Sequence, residues 1–532
     1  MTGRAPKLRR LLAPIGLIVA LAVGYWLGSA NRGLPVELGA VPGGSLLSID
    51  AAGPGSRYNG PACMDDDKVG AGQPKPYCGA LPSLAAINVR EASLEELPVG
   101  FDSPWAFEFL AAGDILVTEF GGALKRVDIA SGRSVDIAGL PEIAGGRGQR
   151  GLLDVALHPQ YSDNNLIYLS YVITNGKDQY ATAVARAQLL EDRLANLEQI
   201  FVALPFARSS SNFGGALEFD RDGYLYIGTG DRSDRSDAQH PGLLTGKIIR
   251  LNADGSIPED NPFVGDANEG IDEAVYALGV RNPQGLVCDP VTGSLYETEH
   301  GPMGGDEVNL IEPGRNYGWP VITYGMNYTY RPVGEGTAKQ GMEQPLYYYL
   351  PSIAVSPIAV YRGRMFPEWD GDLLVGALKG QAISKLDLVA GRVQSEYQIL
   401  GELNGRVRDI KVAADGALWV LLETGSLYRL ARDVQQSPLA TGSQERDGEQ
   451  IYLAVCAACH SRNVPGVPQL AVRSDWAGPM AKGRKALYRN AIKGYQAMPE
   501  KGLCEDCSTK EVKRAVNFML GQVRDPGTEL AP

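Results

Sequence analysis

The stretch GYLYIGTGD at residues 223–231, followed by GKIIRLNADG at residues 246–255, contains the pattern on which the fold depends. A glycine turn leads into alternating apolar and aromatic residues, and a second apolar run leads to an Asp-Gly turn. Short runs of this kind, rich in Tyr, Ile and Leu, are the signal of antiparallel strands joined by hairpins. The stretch therefore predicts two neighbouring strands of one small β-sheet.

The same pair of runs recurs along residues 91–432. Further pairs begin at residues 113, 165, 293, 371 and 416, which gives six units with the first example included. Paired strands repeated at this scale are typical of propeller blades, so we predict a mainly β fold, a six-bladed β-propeller. A β-sandwich or two tandem β-domains are the alternatives, and the ending that the units share favours the propeller.

The N-terminus differs from the rest of the chain. Four basic residues within the first ten precede an uncharged apolar run at residues 11–28. The length of this run lies between that of a signal-peptide core and that of a membrane span. The basic residues that precede such a run usually stay in the cytoplasm, so the chain after it is exported. We expect residues 1–28 to be an anchor helix that attaches a periplasmic protein to the bacterial inner membrane, with a cleaved signal peptide as the alternative.

Residues 29–90 are rich in Gly, Pro and Ala and show little periodicity. We interpret them as a periplasmic linker, in which Cys63 and Cys78 could close a loop. The whole chain of 532 residues has a formal charge of −12. Nucleic-acid binding needs a clustered basic face, so this charge argues against a nucleic-acid partner.

The motif CAACH, which begins at Cys456, is the attachment signature of a c-type haem. The thiols of Cys456 and Cys459 add to the haem vinyl groups, and His460 is placed to ligate the iron. A chance match or a redox CxxC is the alternative, but the motif ends a helical run in a chain that we expect to be exported. Met498 is the candidate sixth ligand, because Met–His ligation suits an electron carrier, and Met480 is the second choice.

The helical segment around this motif extends over residues 443–526. Ser508 and Glu511 have the spacing of a capping box. An apolar stripe at helical spacing follows, and it consists of Val512, Ala515, Val516 and Met519. The segment resembles the small bacterial cytochromes of the c5 type, an all-α class I cytochrome c domain. The resemblance implies a disulfide between Cys504 and Cys507; a second metal site is the alternative, but no spare His or Cys is nearby to complete one.

Polar residues in the β-region cluster in a way that is unlike surface decoration. They are Arg281, Asn282 and Gln284 in the turn GVRNPQG, Gly301, Pro302, Asp306 and Glu307 in EHGPMGGDEVN, Lys379 in GALKG, and Arg406 and Arg408 in NGRVRDI. The two arginines of the last motif alternate, so their side chains share one face of a strand. Cations combined with carbonyl and carboxylate oxygens suit a polyanionic ligand held with a hard cation.

These motifs, with GQRGLLDVALHP and NYGWP, resemble those of the soluble quinoprotein glucose and aldose sugar dehydrogenases over roughly residues 95–432. Members of that family are six-bladed propellers that bind pyrroloquinoline quinone (PQQ) with Ca²⁺. The resemblance implies a quinone site and a calcium site on the propeller. The residues that it implies for the quinone are Gln149, Lys379, Arg406 and Arg408, with Arg281 and Asn282 against its reactive carbonyl. It also implies that Gly301 and Pro302 offer backbone oxygens to the Ca²⁺, and that Asp231 is the acidic residue of the active site.

One position departs from the family pattern. A His precedes the GG-x-L-x-F strand in the family and acts as the general base, whereas RSSSNFGGALEFD places Asn212 there and Ala216 where an Arg is usual. An amide does not take up a proton at neutral pH, and losing a general base typically costs about 10²- to 10⁴-fold in rate. His158 belongs to a structural turn in the family, and His300 adjoins the proposed calcium carbonyls without being an evident substitute.

Two classes of function follow from these residues. In the first, a periplasmic PQQ-dependent dehydrogenase oxidises an aldose or another alcohol and passes electrons through its haem to a downstream cytochrome or respiratory acceptor. In the second, the propeller is catalytically degenerate and serves as a binding or docking platform for an electron-transfer cytochrome. The cationic cluster favours the first class, and Asn212 favours the second. A third option, a generic propeller without PQQ, would make the cationic cluster coincidental.

Overall fold

The computed structural model describes residues 92–432 and 448–522. Residues 111, 112, 147, 266, 267, 269, 364 and 390 are excepted in the first range, and residues 457–459, 461–466, 469–472, 496, 497, 505 and 506 in the second. The predicted anchor at 1–28, the linker at 29–90 with Cys63 and Cys78, and the haem cysteine Cys459 lie outside the described residues. Within the described ranges no helix is long and apolar enough to cross a bilayer.

The first three sheets each contain four antiparallel strands that are neighbours in the order of the chain. Sheet one consists of β2 (Pro104–Phe109), β3 (Asp114–Glu119), β4 (Ala123–Asp128) and β5 (Arg133–Asp136). Sheet two consists of β6 (Leu152–Leu157), β7 (Leu166–Thr174), β8 (Tyr180–Leu190) and β9 (Arg193–Val202). Sheet three consists of β10 (Gly214–Phe219), β11 (Leu225–Thr229), β12 (Lys247–Leu251) and β13 (Val275–Leu278).

Three further sheets of the same kind follow. Sheet four consists of β14 (Pro283–Cys288), β15 (Leu295–Glu299), β16 (Asp306–Ile311) and β17 (Tyr347–Tyr349). Sheet five consists of β18 (Val355–Val360), β19 (Leu373–Ala377), β20 (Ile383–Val389) and β21 (Arg392–Ile399). Sheet six consists of β22 (Val407–Val412), β23 (Leu418–Leu422), β24 (Leu427–Arg432) and β1 (Ala92–Glu96), in that order.

The six sheets form a closed ring, which confirms the predicted six-bladed propeller. The first strand of each blade contacts the first strands of the two neighbouring blades, so that β2, β6, β10, β14, β18 and β22 surround a common axis. The ring is closed by β1, which pairs antiparallel with β24 as the outermost strand of the sixth blade. Both ends of the propeller sequence therefore contribute to one sheet.

Burial explains why second strands such as β11, β19 and β23 are almost continuously apolar. The strands β11, β15, β19 and β23 are buried at every position, because neighbouring blades cover both faces of each sheet. Outer strands such as β9 are largely exposed to solvent and are more polar. Burying a Val, Leu or Ile side chain stabilises the fold by roughly 1.5–3 kcal/mol, so this packing accounts for much of the driving force.

Short helices occur in the propeller loops. They are α1 (Tyr161–Asn164) and the 3₁₀ turns Arg235–Gln239, Pro367–Trp369 and Gly401–Leu403. His158 lies beside α1, where its Nδ1 accepts from the backbone N–H of Gln160 at 3.0 Å. This histidine thus has the structural role in a turn that the family resemblance implies.

The C-terminal segment is helical, as predicted. It contains α2 (Gly448–Ile451), a π-helical turn at Tyr452–Cys456, α3 (Arg473–Ala481), α4 (Arg484–Lys493), a 3₁₀ turn at Glu500–Leu503 and α5 (Thr509–Gln522). The capping box is formed: Ser508 N–H donates to the Glu511 carboxylate at 2.8 Å, and Glu511 N–H donates to Ser508 Oγ at 3.2 Å. Cys504 and Cys507 form the expected disulfide. The stripe of Val512, Ala515, Val516 and Met519 is buried.

Candidate active site and haem centre

The polar residues singled out in the propeller sequence collect at one end of the ring, which we call the mouth. Most of them precede or begin the first strand of a blade or follow the second strand, Asp306 and Glu307 begin the third strand β16, and antiparallel pairing brings these points to the same end. The residues that precede or begin first strands are Gln149, Asn212, Arg281, Asn282, Arg406 and Arg408. Those that follow second strands are Asp231, His300, Gly301, Pro302 and Lys379.

A cavity of about 320 Å³ runs between the first strands along the propeller axis. Arg408 and Trp105 line it, and Gln284 points into it from β14. The expectation that Gln284 shares a turn with Arg281 and Asn282 is therefore wrong. β14 already begins at Pro283, and period-two alternation turns Gln284 towards the axis.

Buried carboxylates join neighbouring blades along this cavity. Asp154 accepts from Leu217 N–H at 2.8 Å, Glu218 from Cys288 N–H at 3.0 Å, and Asp409 from Phe107 N–H at 2.9 Å. Burial raises the pKa of these carboxyl groups to about 6, 8 and 7 respectively. They were not recognised from sequence, although an acidic residue inside an otherwise apolar first strand, as in LLDVAL, was the available signal.

Asn212 is buried and belongs to a hydrogen-bonded network that also reaches the exposed side chain of Gln149. Its Nδ2 donates to Asp231 Oδ1 at 2.9 Å, and its backbone N–H donates to Gln149 Oε1 at 2.7 Å. Trp319 Nε1 donates to Asp231 Oδ2 at 2.8 Å. Trp319 comes from the long segment between β16 and β17 and was not predicted as a site residue. The network joins Gln149, Asn212 and Asp231 as one unit at the mouth.

Glu299 supports the turn that carries Arg281 and Asn282. Its Oε2 accepts from the backbone N–H groups of both residues, at 3.3 Å from Asn282 N. Burial raises the pKa of Glu299 to about 7, and these two hydrogen bonds oppose the shift. Arg281 in turn donates to the backbone oxygen of His300 at 2.7 Å. The turn is thus fixed to the end of β15 by hydrogen bonds to the Glu299 side chain and to the His300 backbone.

The side-chain amide of Asn282, in the same turn, has a hydrogen-bond donor without a partner among the described residues. Its Oδ1 accepts from Gly214 N–H at 3.0 Å, while its Nδ2 is buried and has no hydrogen-bond partner among the described residues. A buried donor without a partner costs free energy unless a ligand or water satisfies it. The orphaned amide therefore fits a ligand with an acceptor oxygen beside the Arg281 turn.

Arg406 and Arg408 share one carboxylate, that of Glu423 at the end of β23. Arg408 Nη2 lies 2.5 Å from Glu423 Oε1, and Arg406 Nε pairs with Glu423 Oε2. The guanidinium of Arg408 also stacks 4.7 Å from the centre of the Trp105 ring. Both arginines thus lie on one face, as the alternation predicted, and two positive charges there face a single negative one.

The charges of Arg408 and Arg281 both act on the imidazole of His300. Burial lowers the pKa of His300, and the charges of Arg281 and Arg408 lower it further against the opposing effect of Asp306. His300 donates Nε2–H to the backbone oxygen of Val355 at 2.6 Å. Lys379, whose side chain is exposed, donates its backbone N–H to Ile353 O on the same side of the ring. The mouth therefore gathers cations from three blades.

Hydrogen bonds to Asp306 fix the loop that contains the two proposed calcium ligands, Gly301 and Pro302. Asp306 accepts from Gly301 N–H at 3.0 Å and from Ala354 N–H at 2.7 Å, so its carboxylate is committed to the backbone. A side chain at Gly301 would collide with the carbonyl oxygens of Gly304 and Gly305. Among the described residues no three His, Cys, Asp or Glu side chains converge as a metal site.

The described residues of the haem-attachment motif also fit a bound haem. His460 is buried, and its Nδ1–H donates to Pro468 O at 2.7 Å, which leaves Nε2 as the nitrogen with a lone pair for iron. Burial lowers its pKa and so favours the neutral imidazole that a metal needs. Met498 packs in the same apolar cluster as Cys456, whereas Met480 is 45% exposed.

Two family models match the chain. The model described as Glucose / Sorbosone dehydrogenase matches residues 101–429, and the model described as Cytochrome C oxidase, cbb3-type, subunit III matches residues 443–519. The aldose sugar dehydrogenase of Escherichia coli is 37% identical over 347 residues, which cover 64% of this chain and 91% of that protein. Cytochrome c5 of Ectopseudomonas mendocina is 33% identical over 84 residues, which cover 15% of this chain and 97% of that protein.

A solved structure matches the same region. The PQQ-bound form of the aldose sugar dehydrogenase from Streptomyces coelicolor superposes with a TM-score of 0.54 at 26% sequence identity. The superposition covers 66% of this chain and 99% of that chain.

Proposed function

Because the chain belongs to the glucose/sorbosone dehydrogenase family and carries a fused cytochrome c domain, we propose that it oxidises an aldose or another alcohol with PQQ and Ca²⁺. The electrons then pass to its own c-type haem and from there to a downstream cytochrome or respiratory acceptor. The tether raises the effective concentration of the first acceptor to the millimolar range typical of short linkers.

The observation that carries this proposal is that Arg408, which lines the axial cavity, and Arg281, which donates to the backbone oxygen of His300, lie at the same end of the ring. Excess positive charge beside a cavity suits a ligand with several carboxylates. Lys379 and Arg406 extend the same positive field, and the orphaned Nδ2 of Asn282 adds a donor. The backbone oxygens of Gly301 and Pro302 would supply hard ligands to the calcium ion.

PQQ, when bound, supplies the hydride acceptor. Gln149, Lys379, Arg406 and Arg408 would bind it, and Arg281 would lie against its reactive carbonyl. Asn212 would accept a hydrogen bond from the substrate hydroxyl through Oδ1, because its amide nitrogen is already committed to Asp231. The amide orients the hydroxyl without removing its proton, so we expect a slower reaction than a histidine base would give.

We also propose that the protein works in the periplasm, attached to the inner membrane by residues 1–28. The disulfide between Cys504 and Cys507 supports an oxidising compartment. Separation of the cell fractions, with salt and detergent extraction of the membranes, tests this. Recovery of the protein from the cytoplasm would contradict the proposal.

The first experiment is a titration of haem-loaded, PQQ-free protein with PQQ and Ca²⁺, followed by ligand fluorescence. We expect one PQQ per chain, and an affinity about 10- to 100-fold lower in Arg408→Ala, since hydrogen bonds to charged groups contribute about 1.5–3 kcal/mol. Arg429→Ala is the matched control, because Arg429 pairs with Asp415 at the other end of the blade. An absence of PQQ binding would overturn the proposed function.

A substrate panel then identifies the reaction. Aldoses and simple alcohols are added to the PQQ-loaded protein, and reduction of the haem is followed by its visible absorption. A substrate that bleaches PQQ but leaves the haem oxidised would support the proposed dehydrogenase activity. It would contradict the proposal that the haem of the fused domain is the electron acceptor.

A further inference from the structure

A short hairpin at residues 326–332, which we call the tyrosine hairpin, displays apolar side chains to solvent. Its backbone is fixed: Asn327 N–H donates to Arg331 O and Tyr330 N–H donates to Asn327 O, both at 2.8 Å. The exposed fractions of Met326, Tyr328 and Tyr330 are 39%, 70% and 78%. A rigid turn with three exposed large apolar side chains is a typical contact surface for a protein partner.

The tyrosine hairpin lies at the mouth of the propeller. Met303, directly after Gly301 and Pro302, donates its N–H to Met326 O at 2.9 Å, and Met326 N–H donates to Met303 O at 3.1 Å. Gly325 packs so closely against the ring of Pro302 that it has no room for a side chain. The exposed patch is thus joined directly to the loop of the proposed cofactor site.

The C-terminal domain, residues 443–526, also exposes large apolar side chains, one of them beside a proposed iron ligand. Met480 and Tyr495 are each 45% exposed in its described part. Tyr495 and Met498 exchange backbone hydrogen bonds of 2.9 and 3.0 Å, so Tyr495 marks the edge at which the proposed sixth ligand lies. An apolar edge next to the haem is the surface through which electrons would enter.

The charges of the two domains favour their association. Residues 91–432 contain 46 acidic and 28 basic side chains, a net charge of −18, whereas residues 443–526 contain 9 and 13, a net charge of +4. Opposite net charges attract the domains at long range. Because the mouth itself gathers cations, the apolar patches, not the net charge, determine where the contact forms.

The connection between the domains permits this contact. β24 ends at Arg432, at the opposite end of the blade from Arg406 and Arg408. Fifteen residues, 433–447, separate Arg432 from Gly448 and would span at most about 50 Å when extended. A six-residue strand is about 20 Å long, so the segment can pass along the side of the propeller to the mouth.

We propose that the C-terminal domain docks through its Met480–Tyr495 edge on the tyrosine hairpin of the same chain to receive electrons from the cofactor site. The inference rests on the proposed function. Oxidation of an alcohol to a carbonyl releases two electrons and two protons. Ferric haem takes the electrons one at a time, an external acceptor reoxidises it between the two transfers, and the protons pass to solvent.

Cross-linking tests the contact without any turnover. Ala477→Cys, exposed in α3 near Met480, is combined with Thr329→Cys in the hairpin or with Ala414→Cys, which is exposed at the far end of the sixth blade. In haem-loaded, PQQ-free protein at low ionic strength, a short bis-maleimide should join 477 to 329 within one chain in clear preference to 414. High salt should reduce the yield. Equal yields, or a preference for 414, would overturn the docking proposal.

Kinetics separate this proposal from the proposed function. In PQQ-loaded protein, Tyr328→Ser with Tyr330→Ser should slow haem reduction about tenfold, equivalent to about 1.4 kcal/mol, while oxidation coupled to a diffusible dye stays unchanged. Leu197→Ser, at an exposed position in β9, is the control. Unchanged haem reduction, or a raised KM in the dye assay that shows the hairpin binds substrate, would contradict docking. No dye-coupled oxidation in the unaltered protein would instead contradict the proposed function.

Discussion

Asn212 donates its side-chain amide to the carboxylate of Asp231 across 2.9 Å. A carboxylate only accepts, so the NH₂ group faces Asp231 and the carbonyl Oδ1 is turned away from it. Trp319 donates to the other oxygen of the same carboxylate and holds it in place. The side chain at this position therefore turns an acceptor oxygen away from Asp231 and carries no general base.

Asn212→His should restore a base at the mouth. The backbone of Asn212 has a φ of 58°, a left-handed conformation in which Asn, Asp and His are the side chains most often found, so the replacement fits. We expect kcat/KM for an aldose to rise by about 10²- to 10⁴-fold, measured with a diffusible dye as acceptor. PQQ affinity should not change and serves as the control. An unaltered rate with intact PQQ binding would show that residue 212 does not face the substrate hydroxyl.

Glu299 should make the stability of the propeller depend on pH. Its pKa of about 7 in the folded protein is above the ordinary value, so between these two values the folded state holds a proton that the unfolded chain has released. The resulting stabilisation is complete below the ordinary pKa and is lost as pH rises through 7. We expect the free energy of unfolding to fall by roughly 2 kcal/mol more in the unaltered protein than in Glu299→Gln between pH 5 and pH 8.

Urea denaturation of PQQ-free, chelator-treated protein measures this difference. Glu402→Gln is the control, because Glu402 is exposed. If Glu299→Gln has the same pH dependence as the unaltered protein, the Glu299 carboxyl does not retain its proton in the fold.

Asp409 should be required for the contact between the last and first blades. Its carboxylate accepts from Phe107 N–H, and removing it leaves a buried donor without a partner. We expect Asp409→Ala to lower the free energy of unfolding by about 1–3 kcal/mol, whereas Asp409→Asn, which keeps an acceptor, should lose less. Equal losses in the two variants would show that the hydrogen bond is not the source of the stability.

Met498→Leu should change the haem, whereas Met480→Leu should not. Loss of a thioether ligand lowers the reduction potential and removes the Met–iron charge-transfer band, and Met480 is exposed rather than packed near Cys456. Potentiometric titration with optical detection measures both variants. The reverse result would assign the sixth ligand to Met480.

Local patterns were sufficient to predict the fold. The Gly and Asp-Gly turns around GYLYIGTGD and its repeats located the second and third strands of the blades, whereas the repeat pattern did not include the first strands. The start of β14 was not predicted: GVRNPQG was interpreted as a turn throughout, although Pro283 and Gln284 already belong to this strand. A proline at the first position of a strand is compatible with strand pairing, but a proline is usually read as a turn signal. Pro283 therefore hid the start of β14.

The supporting residues of the site could not be predicted, because their contacts depend on tertiary structure. Glu423 reaches Arg408 only through the register of β22 and β23, in which Val407 pairs with Leu422. Trp319 meets Asp231 across 88 positions of sequence. Motifs pointed to candidate ligand-binding residues, whereas the residues that fix those side chains in place have no sequence pattern of their own.

The pairing of Ala92 with Arg432 determines how the propeller responds to mechanical load. The chain enters and leaves the ring at one corner, because these two residues are neighbours at the same end of the β1–β24 ladder. Tension between a fixed N-terminal tether and a pulled C-terminal domain would break this ladder one hydrogen bond at a time, as in unzipping, instead of shearing all of them together. The seam of the ring is thus its weakest point under force, and opening it would release the first blade from the last.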